Sequence, residues 1–255
     1  MARCEGQKNF AMHETTVPMT MQRSAHSCSG CSLNSLCLPA GIHRADLQRL
    51  DNIVEVSKPL HDGDTFFEEK QEFEAVCAVK SGMFKTVALD AEGHERVVGF
   101  HLPGELIGLD AVYPEQHMTT AISIGTSTVC AIQYRRLISL ATQLPGLQHQ
   151  LLCLFSKEIN TSHCMAAEQA AEHKLAAFLL SLSLRYKQRG YSGTRFNLAM
   201  PRRDIASYLG MAAETVSRVF KRFQEHGIVR IQRRDIAIED MQRLETLASR
   251  TGLVG

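Results

Sequence analysis

The hydrophobic and polar positions of this 255-residue chain follow two different periods along its length. From about residue 53 to 133, short apolar runs alternate with the turn-forming sequences HDGD, KSG, DAEG and LPGE. The runs IVEV, FEAVCAV, MFKTVAL, RVVGF and STVCAIQ have the length and composition of strands. Strands at such close spacing predict an antiparallel β-barrel or jelly roll. Just before them, residues 45–51 predict a short helix.

The apolar spacing becomes helical after Pro145. Leu147, Leu151 and Leu154 form one stripe, which we expect to pack on the barrel. A second stripe follows the 3-4-3-4 spacing of a heptad seam and consists of Leu152, Phe155, Ile159, Ser162 and Ala166. The simplest partner for this seam is the same helix of a second subunit, which predicts a homodimer. A helix buried on both faces within one chain is the alternative.

Further along the chain, the pattern predicts two helices around a tight turn. An amphipathic helix ends at Gly190, and the strand-like sequence RFNLAM follows it. PRRDIASYLG and MAAETVSRVFKRFQEHG then predict a short helix, a turn at Gly210 and a longer helix. This is the pattern of a helix-turn-helix, and the hairpin predicted by IVRIQRRDIAIED would be its wing.

The chain is therefore expected to be an α+β protein with a jelly-roll barrel, a long dimerisation helix and a C-terminal winged helix-turn-helix. Its first residues show no periodicity and are expected to be flexible. The expected parts are a flexible arm (1–25), a cysteine-rich segment (26–45), the barrel (46–142), the dimerisation helix (143–168), the winged helix-turn-helix (169–242) and a tail (243–255).

Charge is uneven along the chain although the formal net charge is only +1. From Pro201 to Arg234 there are eight Lys and Arg residues against three Asp and Glu, a local net charge of +5. A neutral protein with one basic segment in a helix-turn-helix is typical of a nucleic-acid surface, and double-stranded DNA is the expected partner. A solvated helix face is the alternative interpretation of the charge alone.

The second helix of the motif carries residues suited to reading bases. Glu214, Ser217 and Arg218 stand at i, i+3 and i+4, so they share one face of its first turns. Arg can bind guanine through two hydrogen bonds, and Glu can accept one from cytosine. An exposed Glu–Arg pair is the alternative. Three other cations are better placed for phosphates: Arg202, Lys221 and Arg222.

Three cysteines, Cys28, Cys31 and Cys37, occur in the polar stretch HSCSGCSLNSLCLP. The turn-forming Ser29-Gly30 pair lets the first two thiolates converge, and five intervening residues can bring the third to the same point. Clustered thiolates favour zinc or an iron–sulfur cluster. Both centres usually take four ligands, so a distant residue must complete the set. By spacing alone, Cys77 and Cys130 are equally plausible.

A disulfide framework is not expected in a chain of this length. The first 27 residues contain no apolar leader, and no run of about 18 apolar residues predicts a membrane span. We therefore expect a reducing cytoplasm, where clustered cysteines indicate metal or redox chemistry. Cys4, Cys153 and Cys164 are not expected to be ligands, and the last two are expected to pack within the helix.

From about Cys28 to the C-terminus, the chain resembles the FNR branch of the CRP/FNR transcription regulators. The resemblance rests on the cysteine stretch, on the PGE-L-IG-D segment at 103–110 and on RRDIASYLGMAAETVSRVFKRFQ. It implies a cyclic-nucleotide-binding-like barrel and one [4Fe-4S] cluster per subunit. That cluster would be intact without oxygen and support a DNA-binding dimer, and oxygen would degrade it. RNA polymerase is a further expected partner, contacted through exposed barrel loops.

The resemblance also assigns residues. TSTVCAIQ is similar to the family segment that carries the distal cysteine, which makes Cys130 the fourth ligand beside Cys28, Cys31 and Cys37. ETVSR implies half-sites related to TTGAT, two of which form a palindrome. The chain departs from the family at Ala212, where Thr or Ser is frequent. The helix region near 162–172 also looks slightly shorter than in the enteric member of the family. The seam carries the polar Ser162.

Other functions fit less well. A regulator of the cyclic-AMP type would use an Arg after the PGE segment to bind phosphate, but no Arg occurs from Glu115 to Gly125. No cyclic nucleotide is therefore expected. An iron–sulfur enzyme would need a catalytic constellation that the sequence lacks, so we expect no enzyme. The closest alternative is a DNA-binding regulator of the same fold with a structural or redox-sensing zinc or thiol site.

Overall fold

A computed structural model of the chain describes residues 21–22, 27–90, 92–165 and 170–249. The first large unit is an antiparallel sheet with strands in the order β1-β2-β7-β4-β5, with β3 beside β7 and β6 beside β4. Its strands are β1 Met21–Gln22, β2 Val54–Ser57, β3 Thr65–Phe67, β4 Ala75–Leu89, β5 Glu95–His101, β6 Leu106–Ile107 and β7 Thr120–Gln133. The strands fold around a core that contains Phe67, Phe84 and Val129.

Helices precede and follow this sheet, and a smaller sheet completes the C-terminal unit. The helices are α1 Leu47–Asp51, α2 Tyr134–Ala141, α3 Pro145–Met165, α4 Ala171–Gln188, α5 Arg202–Leu209, α6 Ala213–Glu225 and α7 Met241–Ser249. The smaller sheet has the order β8-β10-β9, formed by β8 Arg195–Asn197, β9 Val229–Gln232 and β10 Asp235–Ile238. Within the ranges given above, no helix is long and apolar enough to cross a bilayer.

The turn predicted at residues 80–82 was wrong. β4 is one continuous strand there, and its pairing with β7 shifts register on both sides of Ser81. Gly82 has φ of +75°, and a Cβ at this position would lie 2.7 Å from the Cα of Ser127. The residues KSG therefore form a β-bulge, which uses the same glycine conformation as a turn without ending the strand.

Two other elements differ from the sequence prediction. α2 was not predicted, so the helical part of the chain begins at Tyr134 rather than after Pro145. Within the expected flexible arm, residues 21 and 22 form β1, which pairs with Ser57 and Val56 of β2. Residues 1–20 lie outside the described ranges.

A second core joins the barrel to the helix that follows it. Leu147 and Leu151 of α3 are buried against the outer face of the sheet, and Leu154 is partly buried beside them. Leu38 of the cysteine-rich segment belongs to the same core. The predicted packing of this leucine stripe on the barrel is therefore confirmed.

The predicted helix-turn-helix and its wing are also confirmed. α5 and α6 are joined through Gly210, whose φ of +62° suits the left-handed turn between them. β9 and β10 form the antiparallel wing hairpin. Ala212 is the N-cap of α6 and provides no side-chain cap, which leaves the first N–H groups of that helix without this stabilisation.

A buried ion network attaches the C-terminal unit to the barrel. Glu105, in the loop before β6, accepts hydrogen bonds from Arg185 Nε at 2.9 Å and Arg189 Nη2 at 2.8 Å, both on α4. Burial alone would raise the pKa of Glu105, but the two guanidinium groups lower it to about 2. A second contact joins Lys85 Nζ of β4 to the Asp204 carboxylate of α5 at 2.7 Å.

We expect Glu105→Gln to lower the free energy of unfolding by about 3–5 kcal/mol near neutral pH, because removing one partner leaves buried charge uncompensated. The pKa of Glu105 lies below its ordinary value of 4.5. The ion network therefore stabilises the fold fully above that pH and loses this contribution as the pH falls toward about 2. Urea unfolding at a series of pH values should give a difference between wild type and variant that shrinks over this window.

Glu92→Gln, in the exposed turn before β5, is the matched control and should change stability little. A Glu105→Gln deficit that stays constant from pH 7 to pH 3 would contradict the assignment of Glu105 as the ionised partner.

Candidate cysteine centre and DNA-reading surface

Short turns hold the cysteine-rich segment in place. A 3-10 helix spans Cys28–Gly30, and the N–H of Cys31 donates to the carbonyl of Cys28 at 3.3 Å. The N–H of Cys37 donates to the carbonyl of Leu33 at 3.1 Å, and the next 3-10 helix, Leu38–Gly41, follows immediately. The three cysteines are half-buried.

Asp51 at the end of α1 anchors the beginning of this segment. Its carboxylate accepts the backbone N–H of Cys28 at 2.6 Å and the Ser27 hydroxyl at 3.0 Å. Sequence reasoning missed this residue. A signal was present, since a carboxylate at a helix C-terminus is unfavourable with the helix dipole and so suggests a partner elsewhere.

The alternation of side chains along the strands separates Cys130 from Cys77. In the β4–β7 ladder, Cys130 pairs with Ala78, and Cys77 pairs with Ala131. Successive residues of a strand point to opposite faces. Cys77 belongs to the core inside the barrel, whereas Cys130, Cys28 and Cys37 all contact the core between the sheet and α3.

Electrostatic interactions link the four predicted ligands to one another. The Cys28 thiol interacts with Cys130 and Cys37, and Cys31 interacts with Cys37 and Cys130. Of these four residues, Cys28, Cys37 and Cys130 border the core on the outer side of β7. Cys77 interacts electrostatically with Cys130 but contributes to the core on the other face.

Burial keeps the thiols of Cys28, Cys37 and Cys130 neutral. It raises the pKa of Cys28 far above its usual range, an effect to which Asp51 adds, and raises that of Cys37 to about 12 and that of Cys130 to about 11. Metal ligation needs thiolates, so a bound metal would displace these protons and replace them with its own positive charge. Among the side chains that the structure describes, no three His, Cys, Asp or Glu groups are close enough to hold a single metal ion.

α3 touches the cysteine segment on one face and is open on another. Gln150 Nε2 donates to the carbonyl of Cys37 at 3.2 Å. On the opposite side, Leu152 and Ile159 are 62% and 55% exposed, and Phe155 between them is half-buried. The side chains of Ser162 and Ala166, the remaining members of the predicted seam, lie outside the described residues.

Cys153 does not pack within the helix as predicted. It is exposed, and its Sγ lies 3.5 Å from Nε2 of His149, one turn earlier on α3. The side chain of Cys164 is outside the described residues.

The three residues predicted to read bases share one exposed surface. Glu214, Ser217 and Arg218 project from the first two turns of α6, while Val216 and Val219 on the other side are buried. Ser217 Oγ donates to the carbonyl of Ala213 at 2.9 Å, which leaves its oxygen able to accept a hydrogen bond. This arrangement gives the helix an open polar face at its N-terminal end.

The three predicted phosphate contacts have different surroundings. Lys221 is exposed and lies 3.8 Å from Glu225. Arg222 is paired with Glu172 of α4. Arg202 is half-buried with its guanidinium 3.7 Å above the Phe220 ring, and its Nη1 has no hydrogen-bond partner. Arg203, which the sequence analysis did not name, has an 83% exposed side chain at the start of α5.

Two family models match the chain. Residues 57–143 match the cyclic nucleotide-binding domain, and residues 173–247 match the Crp-like helix-turn-helix domain. The first range includes β7 with Cys130, and the second includes α5, α6 and the wing.

Curated relatives cover nearly all of the chain. It is 40% identical over 236 residues to the transcriptional activator protein FnrA of Stutzerimonas stutzeri, which covers 91% of this chain and 96% of that protein. It is 38% identical over 227 residues to the fumarate and nitrate reduction regulatory protein of Salmonella typhimurium, with coverages of 88% and 91%.

Among solved structures, FixK2 from Bradyrhizobium japonicum superposes with a TM-score of 0.68 at 26% identity, covering 74% of this chain and 95% of that one. This likeness and the two family models confirm the predicted barrel and helix-turn-helix. The chain therefore belongs to the CRP/FNR family of transcription regulators, which bind DNA and are not enzymes.

Proposed function

We propose that the protein is a cytoplasmic, oxygen-responsive transcription regulator that activates or represses genes of anaerobic metabolism. Cys28, Cys31, Cys37 and Cys130 would hold one [4Fe-4S] cluster per subunit. The observation that supports the proposal is that Cys28, Cys37 and Cys130 all border the core between the sheet and α3, and that the cysteine segment contacts α3 directly. The names of the relatives, an FnrA activator and a fumarate and nitrate reduction regulator, point in the same direction.

Four cysteines suit a zinc ion and a cluster alike, and the names of the relatives favour the cluster. Four thiols interact with one another here, yet no three of the described His, Cys, Asp and Glu side chains are gathered around one ion position. A structural zinc ion needs its four ligands at about 2.3 Å from one centre. A [4Fe-4S] cluster instead takes one thiolate at each of several irons, so its ligands stand farther apart.

The barrel interior argues against a cyclic nucleotide. The cavity between β2, β4 and β7 has a volume of about 50 Å³ and is lined by Glu55, Glu72 and Glu74 among others. Drug-sized ligands occupy about 300 Å³ or more, and carboxylates repel a phosphate. No Arg occurs from residue 115 to residue 125, so this stretch of the barrel also lacks a side chain for bidentate phosphate binding.

In the proposed mechanism, the cysteine segment controls a monomer–dimer equilibrium. When bound, the cluster supplies the oxygen sensitivity, because oxygen degrades it. The four cysteines hold the segment against β7 and the start of α3, and α3 presents Leu152, Phe155 and Ile159 to the same helix of a second subunit. Without the fourfold ligation, the segment is held only by its protein contacts and the dimer weakens.

The dimer would place two copies of α6 on a palindrome of the form TTGAT-N4-ATCAA. Glu214, Ser217 and Arg218 would contact base edges in each half-site. Lys221 would contact phosphate. Arg202 and Arg222 would do the same from positions beside the reading face. Arg222 would exchange its ion pair with Glu172 for the phosphate. RNA polymerase would meet the exposed barrel loops of the DNA-bound dimer.

The first test concerns the fourth ligand. Cys130→Ala should abolish the visible absorbance and the bound iron of anaerobically purified protein, because three thiolates leave one iron without a protein ligand. Cys77→Ala is the matched control, since Cys77 lies on the neighbouring strand and faces the barrel core. It should keep full iron and sulfide. Iron retained by Cys130→Ala but lost by Cys77→Ala would contradict the assignment.

The second test concerns the dimer seam. Ile159→Glu would bring like charges together on a self-complementary surface, so the variant should remain monomeric even with its cluster intact. Anaerobic sedimentation, monitored at the cluster absorbance, measures the cluster and the association state together. Lys157→Glu, exposed on the same helix but off the seam, is the control. An intact dimer of Ile159→Glu would show that the seam lies elsewhere.

The third test separates base reading from charge. Arg218→Ala should remove about 1–3 kcal/mol of discrimination at one base pair of each half-site, because a bidentate contact to guanine is lost. Lys221→Ala should weaken all sequences equally and lower the salt slope by about one unit per subunit. Holo-protein binding to single-base-substituted operators at two salt concentrations measures both. Uniform weakening by Arg218→Ala would make Arg218 a phosphate contact.

A further inference from the structure

The cysteine segment and α3 approach each other most closely at two glycines. Gly41 ends the 3-10 helix that begins directly after Cys37, and Gly146 is the second residue of α3. A Cβ on Gly41 would lie 2.9 Å from the carbonyl carbon of Gly146 and 2.6 Å from Cβ of Gln150. A Cβ on Gly146 would overlap the carbonyl oxygen of Gly41. Real Cβ atoms essentially never come within 3.0 Å of another heavy atom, so neither position has room for a side chain.

The backbone conformation does not require these glycines. Neither Gly41 nor Gly146 has a positive φ. Alanine would also be the better helix former at position 146. The close approach of the two backbones is therefore the physical reason for glycine at both positions. A Cα hydrogen of Gly146 points at the Gly41 carbonyl, which is the geometry of a weak Cα–H···O contact between packed segments.

Two further contacts make this junction continuous with the cysteine ligands. Gln150, one turn after Gly146, donates its amide to the carbonyl of Cys37 at 3.2 Å. Leu38, the residue after Cys37, is fully buried in the same core as Leu147 and Leu151. A movement of the Cys37 backbone therefore acts on the first turns of α3 through a hydrogen bond, an apolar core and a backbone contact.

The opposite face of α3 carries the exposed side chains assigned to the dimer. Leu152 lies two residues after Gln150, about 200° around the helix, so the two project to opposite sides. Since the helix is continuous from Pro145 to Met165, a shift of its first turns moves the seam as well.

We propose that the Gly41–Gly146 contact is the mechanical coupling between the cysteine segment and the dimerisation face of α3. This inference rests on the proposed function, because it assigns the route by which cluster loading alters dimer affinity. Gly41, Gly146 and Gln150 are positioning residues: they touch no metal and no DNA, and they act by fixing the segment against the helix.

The test is anaerobic sedimentation of the full chain as Gly146→Ala, in the cluster-loaded and apo forms, with iron and cluster absorbance measured per chain. Couplings between sites commonly change affinity by about 5–150-fold. We expect the dimer dissociation constant of the wild type to differ by this factor between its cluster-loaded and apo forms. Gly146→Ala should keep the cluster but lose most of that difference. Gln150→Leu, which removes the donor to Cys37, should reduce it in the same direction by less.

The direction of the change in dimer affinity separates a loss of coupling from a change in helix stability. Alanine favours the helix and would by itself strengthen α3. Gln148→Ala, exposed on the same turn, is the matched control and should retain the full difference. A Gly146→Ala protein whose dimer still responds to the cluster as the wild type does would overturn this inference alone. Failure of Gly146→Ala to load the cluster would also overturn it, because the contact would then hold the ligands rather than transmit their state. A wild type that shows no cluster-dependent dimer would overturn the proposed function, and this inference with it.

Discussion

The packing of the cysteine segment between β7 and α3 is the contact on which the rest of the structure depends. It places Cys28 and Cys37 against the same core as Cys130, the cysteine of β7 that faces outward, and it buries Leu38 with the leucine stripe of α3. The internal turns of the segment shape it, but they do not attach it to the sheet or to α3. Asp51 fixes its beginning and Gln150 its end, and the side between them is left to the proposed cluster.

The ion network at Glu105 differs from the cysteine segment, because its charge state does not change near neutral pH. Two guanidinium groups keep the carboxylate ionised well below pH 7, and Lys85 with Asp204 adds a second contact. The barrel and α4 are thereby held in one orientation. In the proposed mechanism, a change at the cysteine segment would therefore reach the DNA-reading helix through the association of two subunits rather than through rotation of one unit against the other.

Local patterns in the sequence were sufficient for much of this fold. The helix-turn-helix, the wing and the leucine stripe of α3 could be predicted because turn residues and helical spacing encode them within about 20 residues. The bulge at Gly82 could not, because a positive φ serves a turn and a bulge equally well. By spacing alone Cys77 and Cys130 were likewise indistinguishable; the family resemblance indicated Cys130, and the register of β4 against β7 shows that it faces outward. The anchor from Asp51 to Cys28 spans 23 residues and depends on the fold itself.

The open face of α3 explains how a small local change could control association. Fully burying a large apolar side chain contributes about 1.5–3 kcal/mol, and Leu152, Phe155 and Ile159 from two subunits give six such side chains, partly buried already. Their gain of at most about 9–18 kcal/mol opposes an association cost of about 4–15 kcal/mol. Because the burial gain and the association cost nearly cancel, a small change in free energy alters dimerisation strongly. About 1.4 kcal/mol changes the dissociation constant tenfold. A hydrogen bond and one backbone contact at the start of the helix are of that magnitude. An interface with a larger apolar area would dimerise whatever the state of the cysteines and could not report it.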